Sequence, residues 1–149
     1  RLILVGYSMG GAIVANFLYS SPLEGSVEGV ILDAPMLDFG ATVDLGARES
    51  GYPQLFATLA KAVAGFQFDI DWERLDYLKP ADELDIPILL FHGDADDVVP
   101  LETSDALAES RRDIVRYVTV PGARHVRSWN TDSAAYEKAV REFLRDLSR

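Results

Sequence analysis

Apolar residues gather in four short runs, and helical spacing fills most of the intervals between them. Residues 2–5, Leu2-Ile3-Leu4-Val5, are apolar at every position. An alternating run would leave one face in water, whereas an unbroken one predicts a strand covered on both faces, as inside a parallel sheet. Further strands are predicted at 27–32, 86–91 and 115–120. The third is continuous apart from Pro87, and the fourth carries Arg116 and Thr119, as an outer strand does.

Helices are predicted at about 9–20, 101–111 and 133–147. The first opens on Gly10, Gly11, Ala12 and Ala15, small enough to lie close on a sheet, and Pro22 ends it. In the last, Tyr136, Val140, Phe143, Leu144 and Leu147 share a face, with Thr131 or Asp132 available as a cap. Strand and helix alternate, which is the pattern of an α/β fold with a parallel sheet.

Residues 36–80 break that rhythm. They hold Phe39, Tyr52, Phe56, Phe66, Phe68, Trp72 and Tyr77. Pro53 can start a helix and Gly65 can follow its end, with Leu55, Leu59 and Val63 on one face. The segment is too long for a simple connection. Two readings stand: a small lid over a site, or a helical layer packed on the sheet.

Composition narrows the function. The 149 residues suit one domain, and 48% are hydrophobic, enough for a sizeable core. A net charge of -10 argues against a nucleic-acid partner, which needs a basic face, and against anionic membranes. With no cysteine there is no disulfide, thiolate metal site or cysteine nucleophile, a composition compatible with a reducing compartment such as the cytoplasm. No apolar run reaches the roughly 18 residues of a membrane span. The chain opens on Arg1 and runs straight into an apolar strand. A strand that began a fold there would leave a bare apolar edge, so partner strands are expected upstream and the chain reads as a fragment.

The chemistry begins at Gly6-Tyr7-Ser8-Met9-Gly10. A strand precedes it and a helix follows, the setting of a nucleophile elbow. Such a turn holds the serine hydroxyl at the strand end and leaves the Met9 amide where a developing oxyanion can be stabilised. Two other readings compete. In a dinucleotide fingerprint Gly6 and Gly11 would be the outer glycines and Asp33 the ribose acid, but Ser8 occupies the middle position, where a side chain blocks the pyrophosphate. The plainer alternative is a tight turn with a capping serine.

Ser8 needs a base. Of the two histidines, His125 follows the fourth strand in the turn-rich Pro121-Gly122-Ala123-Arg124-His125, where α/β sheets assemble their sites. His92, at the end of the third strand, is better placed to hold a turn. The orienting acid can be Asp94, Asp96, Asp97 or Asp33; two of the three in the loop read as solvated turn residues. The order serine, acid, histidine is that of the α/β-hydrolase fold.

Together these residues resemble the α/β-hydrolase superfamily, and most of all the lid-bearing serine hydrolases related to monoglyceride lipases and serine aminopeptidases. Gly-Tyr-Ser-Met-Gly-Gly at 6–11 is similar to their elbow. His92 to Pro100 resembles their H-G-x-x-D-x-x-V-P element, whose triad acid falls on Asp96. Residues 122–125 resemble the loop carrying their histidine, with Arg124 where glycine is commoner. The resemblance spans the chain and implies the C-terminal half of the fold, from its fifth strand onward, with a helical lid within 36–80. The loop giving the second oxyanion donor would lie upstream, and loss of one donor costs about 10²–10³ in rate, so the chain alone is expected to be impaired or inactive. The resemblance implies an esterase or lipase-like enzyme that acts on a small acyl substrate through Ser8, His125 and Asp96 without metal or cofactor. Peptidase and acyltransferase chemistry use the same triad, and a non-catalytic binding or scaffold domain is the alternative of another class.

Overall fold

The computed structural model describes residues 2–148. Four strands, β1 (Leu2–Tyr7), β2 (Val27–Asp33), β3 (Ile88–Gly93) and β4 (Val115–Val120), form one sheet in chain order, and each neighbouring pair is parallel. All four strands therefore end on the same edge, and the loops leaving them meet there. Helices α1 (Met9–Ser20), α4 (Leu101–Ser110), a short α5 (Ser128–Thr131) and α6 (Ser133–Leu147) complete the α/β alternation.

Burial follows the period of the strands. Val30, Leu32, Ile88 and Leu90 join a core with Ala15 and Leu18 of α1 and Leu107 of α4. The residues between them, Ile31, Leu89 and Phe91, join a second core with Ala139 and Phe143 of α6. With helices on both faces, every residue of β3 is buried, which is why residues 88–91 are continuously apolar. Each such side chain stabilises the fold by roughly 1.5–3 kcal/mol. The strand starts at Ile88, two residues after its expected start. Pro87 has no N–H to give the ladder, and its carbonyl accepts from Val30 instead.

The first strand departs from the cover expected of it. Leu2 and Val5 are 49% and 50% exposed, because β1 is an edge with only β2 beside it among the described residues. The opposite edge, β4, carries Arg116, paired with Glu142 of α6 at 2.6 Å.

The insertion folds as two helices, α2 (Phe39–Glu49) and α3 (Gln54–Phe68), packed on each other. Asp38 caps α2 by accepting from the Ala41 amide at 2.9 Å. Lys61 of α3 reaches Asp44 of α2 at 2.6 Å. Pro53 does stand before α3, but Gly65 lies inside the helix, beneath Trp72. Leu55, Phe56, Leu59, Val63 and Phe66 form an exposed row on α3, with Phe66 94% exposed.

Candidate active site

Ser8 joins β1 to α1 with φ 51° and ψ −122°, a conformation that costs a non-glycine residue about 1–3 kcal/mol. It is held from both sides. Its amide donates to the Asp33 carbonyl at 3.1 Å, and its carbonyl accepts from Gly11 at 2.9 Å and Met36 at 3.0 Å. The turn closes tightly: a Cβ on Gly6 would sit 2.8 Å from the Gly10 carbonyl oxygen, and one on Gly11 would overlap Pro35. Met9 is the first residue of α1, so its amide is one of the first-turn donors that no helix carbonyl satisfies.

The structure brings Ser8, His125 and Asp96 together. His125 Nε2 lies 2.8 Å from Ser8 Oγ, and His125 Nδ1 lies 2.9 Å from Asp96 Oδ2. The three residues come from the loops after β1, β4 and β3. The Asp96 side chain is fully buried and that of His125 is 19% exposed.

Asp96 is met by two backbone amides and two imidazole rings. The amides of Val98 and Val99 donate to Oδ1 at 2.9 and 3.0 Å. Oδ2 faces His125 Nδ1 and, at 3.2 Å, His92 Nε2. Burial works against the charge, but the bonds from His92, Val99, His125 and Val98 outweigh it and hold the carboxyl at about 2. His92 is itself fully buried, with Nδ1 2.7 Å from Ser104 Oγ and Nε2 also 3.3 Å from the Val99 carbonyl. Sequence reasoning gave His92 a turn-holding place and missed its approach to the acid, because no spacing rule for a strand end and the loop after it brings residues 92 and 96 together.

The other two loop acids are not simply solvated. Asp94 accepts from the Gly122 amide at 2.6 Å, and Asp97 pairs with Arg124. Both tie the acid loop to the histidine loop, so Arg124, which replaces the commoner glycine, meets a partner there. The two loops also touch through backbone, since the Ala95 amide donates to the Ala123 carbonyl at 3.1 Å. A Cβ on Gly93 would overlap that carbonyl. Gly93→Ala is therefore expected to force the loops apart and to cost about 1–3 kcal/mol. Thermal unfolding checks this; an unchanged midpoint would contradict the close approach.

Asp33 does not orient His125. Its carboxyl is buried and accepts from Ser128 Oγ at 2.7 Å. Burial pushes its pKa above the ordinary value of 3.8, against the Ser128 bond and the two histidines. Protons thus favour the folded state: the benefit is complete below 3.8 and is lost as pH rises through the raised folded value. Asp33→Asn keeps an acceptor for Ser128 without the buried charge. It is expected to raise the unfolding midpoint at pH 7, with the gain vanishing below pH 3.8. A variant less stable than wild type at pH 7 would mean that the charge itself is needed.

A cleft of about 510 Å³ between α2 and α3, lined by Asp38, Asp44, Lys61 and Trp72 among others, contains none of Ser8, Asp96 and His125. The chemistry, not this concavity, marks the site. Among the described residues no group of three or more His, Asp or Glu could hold a metal ion, and no helix is long and apolar enough to cross a membrane.

Known proteins share this arrangement of elements. The esterase Pf2001 of Pyrococcus furiosus superposes with a TM-score of 0.71 at 20% identity, over 98% of this chain and 53% of its own. A monoacylglycerol lipase of Paleococcus ferrophilus gives 0.69 at 18% identity, over 99% and 68%. In sequence, the uncharacterized protein YfhR of Escherichia coli K12 is 28% identical over 126 residues, which are 85% of this chain and 38% of that protein. The chain thus spans about half the length of the first of these structures and about two-fifths of its sequence relative. The family model described as TAP-like protein matches residues 58–149. This chain, with its parallel sheet flanked by helices, belongs to the TAP-like family of α/β-hydrolases.

Proposed function

We propose that this chain carries the catalytic centre of a serine hydrolase that cleaves an ester-type acyl bond. The observation that carries the reading is the unbroken line of hydrogen-bonding atoms from Ser8 Oγ through both nitrogens of His125 to Asp96. Asp96 accepts the Nδ1 proton, which leaves Nε2 as the base facing the hydroxyl. Ser8 attacks the acyl carbonyl as His125 takes its proton. The Met9 amide stabilises the oxyanion, and the alcohol leaves with the proton returned by His125. Water, activated by the same ring, then releases the acid from Ser8.

Residues 36–80 serve as the lid in this reading. The segment leaves beside the nucleophile, with the Met36 amide on the Ser8 carbonyl, and α3 offers an apolar row suited to an acyl chain. The esterase and lipase named above share the fold, which supports hydrolysis over a scaffold role but does not choose among esters.

The test is a fluorophosphonate probe on the full-length protein, with the labelled peptide mapped by mass spectrometry. Labelling at Ser8, lost in His125→Ala, is the expected result. A folded protein that never labels would sink the reading.

A further inference from the structure

We infer that His92 is a positioning residue for the Asp96–His125 pair, held by Ser104 with its proton on Nε2 so that it gives the Asp96 carboxylate its fourth hydrogen bond. The inference rests on the catalytic reading of Ser8, His125 and Asp96 given above.

The partners of His92 decide where its proton sits. Nε2 faces two acceptors and no donor: Asp96 Oδ2 at 3.2 Å and the Val99 carbonyl at 3.3 Å. A bare nitrogen there would set three electron pairs against one another inside the protein, which is costly for buried polar atoms. A proton on Nε2 removes that conflict. Nδ1 is then an acceptor, and the one group beside it is the Ser104 hydroxyl at 2.7 Å, which has a proton to donate. Ser104, His92 and Asp96 are buried, so water cannot substitute freely for any of the three. The resulting chain runs Ser104 Oγ–H to His92 Nδ1, His92 Nε2–H to Asp96, and His125 Nδ1–H to Asp96.

The position of the bond gives it consequences for chemistry. Oδ2 of Asp96 lies within reach of both imidazoles, 2.9 Å from His125 Nδ1 and 3.2 Å from His92 Nε2. The His92 proton thus draws electron density from the atom that holds the His125 imidazolium, and it fixes the rotation of the carboxylate about its last bond. The other groups around Asp96 are His125 from the loop after β4, Asp33 from the end of β2, and the Asp97–Arg124 pair at the rim. Substitution at His92 leaves all of these in place. Without the His92 donor, Oδ2 binds the His125 proton more strongly. The protonated ring is favoured, so the acidic limb of kcat/KM moves to higher pH.

One spectrum and three variants of the full-length protein test this. Nitrogen-15 spectra of the wild type should show His92 protonated at Nε2 and bare at Nδ1; the opposite tautomer overturns the inference. His92→Leu should lower kcat roughly 10- to 100-fold with little change in KM, and should shift the acidic limb upward. His92→Gln, whose amide nitrogen can stand where Nε2 stood, should restore most of kcat and the original limb. Ser104→Ala, which frees the tautomer without touching the acid, should give a smaller loss with the same upward shift. A merely structural histidine would change stability and leave the limb where it is. If the Leu variant does not fold, the Gln and Ala variants still decide; wild-type kcat and pH profiles in both would overturn the inference. A wild-type protein that neither hydrolyses esters nor labels at Ser8 would remove the catalytic reading and this inference together. An active wild type with unresponsive His92 and Ser104 variants would remove this inference alone.

Discussion

Replacing Ser8 with alanine in the full-length protein is expected to lower kcat for an activated ester about 10⁶-fold, with KM nearly unchanged. The hydroxyl is the only atom in the proposed route that bonds to substrate. Its loss removes the acyl-enzyme path outright, while Met9 and the surrounding backbone stay to bind the carbonyl. What survives is the roughly 10³- to 10⁴-fold advantage over water that positioning and the oxyanion site supply by themselves. Steady-state kinetics on ester, with circular dichroism to verify folding, is the measurement. A variant that keeps more than about one per cent of wild-type turnover would show that Ser8 is not the nucleophile.

Asp96→Asn is expected to cost about 10⁴-fold in kcat, and the reason is geometric. Two amides lie on Oδ1 and two imidazole nitrogens face Oδ2. Asparagine has one oxygen to offer. If that oxygen stays with Val98 and Val99, the amide nitrogen faces the histidines. His125 must then carry its proton on Nε2, toward Ser8, where it can no longer act as base. Stability should fall as well, and with a definite pH dependence. The folded carboxyl is depressed to about 2 from 3.8, so its contribution is present above 3.8 and is lost as pH falls through about 2. Denaturant unfolding should therefore separate wild type from variant at pH 7 and bring them together in strong acid. Equal kcat values at pH 7 would sink Asp96 as the orienting acid.

The parts legible in the sequence are those set by local pattern. Helices 9–20 and 133–147 have their expected limits because Gly6 to Gly11, Pro22 and Asp132 punctuate them; Asp132 is the cap, accepting from Ala135 at 2.9 Å. The strands agree to within two residues for the same reason. Ser8 and His125 could be singled out because each follows a strand among turn residues; chain order left Asp94, Asp96, Asp97 and Asp33 open as the acid, and Asp96 came only from the resemblance of residues 92–100 to the family's element. What escaped was set by contacts between distant segments. Helix α2 carries two glycines, Gly40 and Gly46, and Asp38 and Lys61 tie it in place. Gly65 reads as a helix end by propensity, yet packing beneath Trp72 keeps it inside α3. The Asp33–Ser128 bond joins residues 95 positions apart, and no spacing rule reaches that far. The exposed edge at β1 was legible, because an unbroken apolar run reports that a strand needs cover on both faces.

The positive φ values at Ser8, Ala34 and Val126 all fall where the sheet's strands and loops meet the site. A fourth such residue, Asp69, only ends α3; at the other three, on the proposed function, conformational tension accompanies the site, since an L-residue with positive φ is tolerated only when its surroundings enforce it. Evolution in a test tube toward heat resistance alone would drift these three positions toward glycine. It would reach a calmer, hardier and chemically silent protein. If the proposed function holds, a stability screen is thus also an indirect map of the site: the positions near it where the fold improves at the expense of turnover are those that turnover uses.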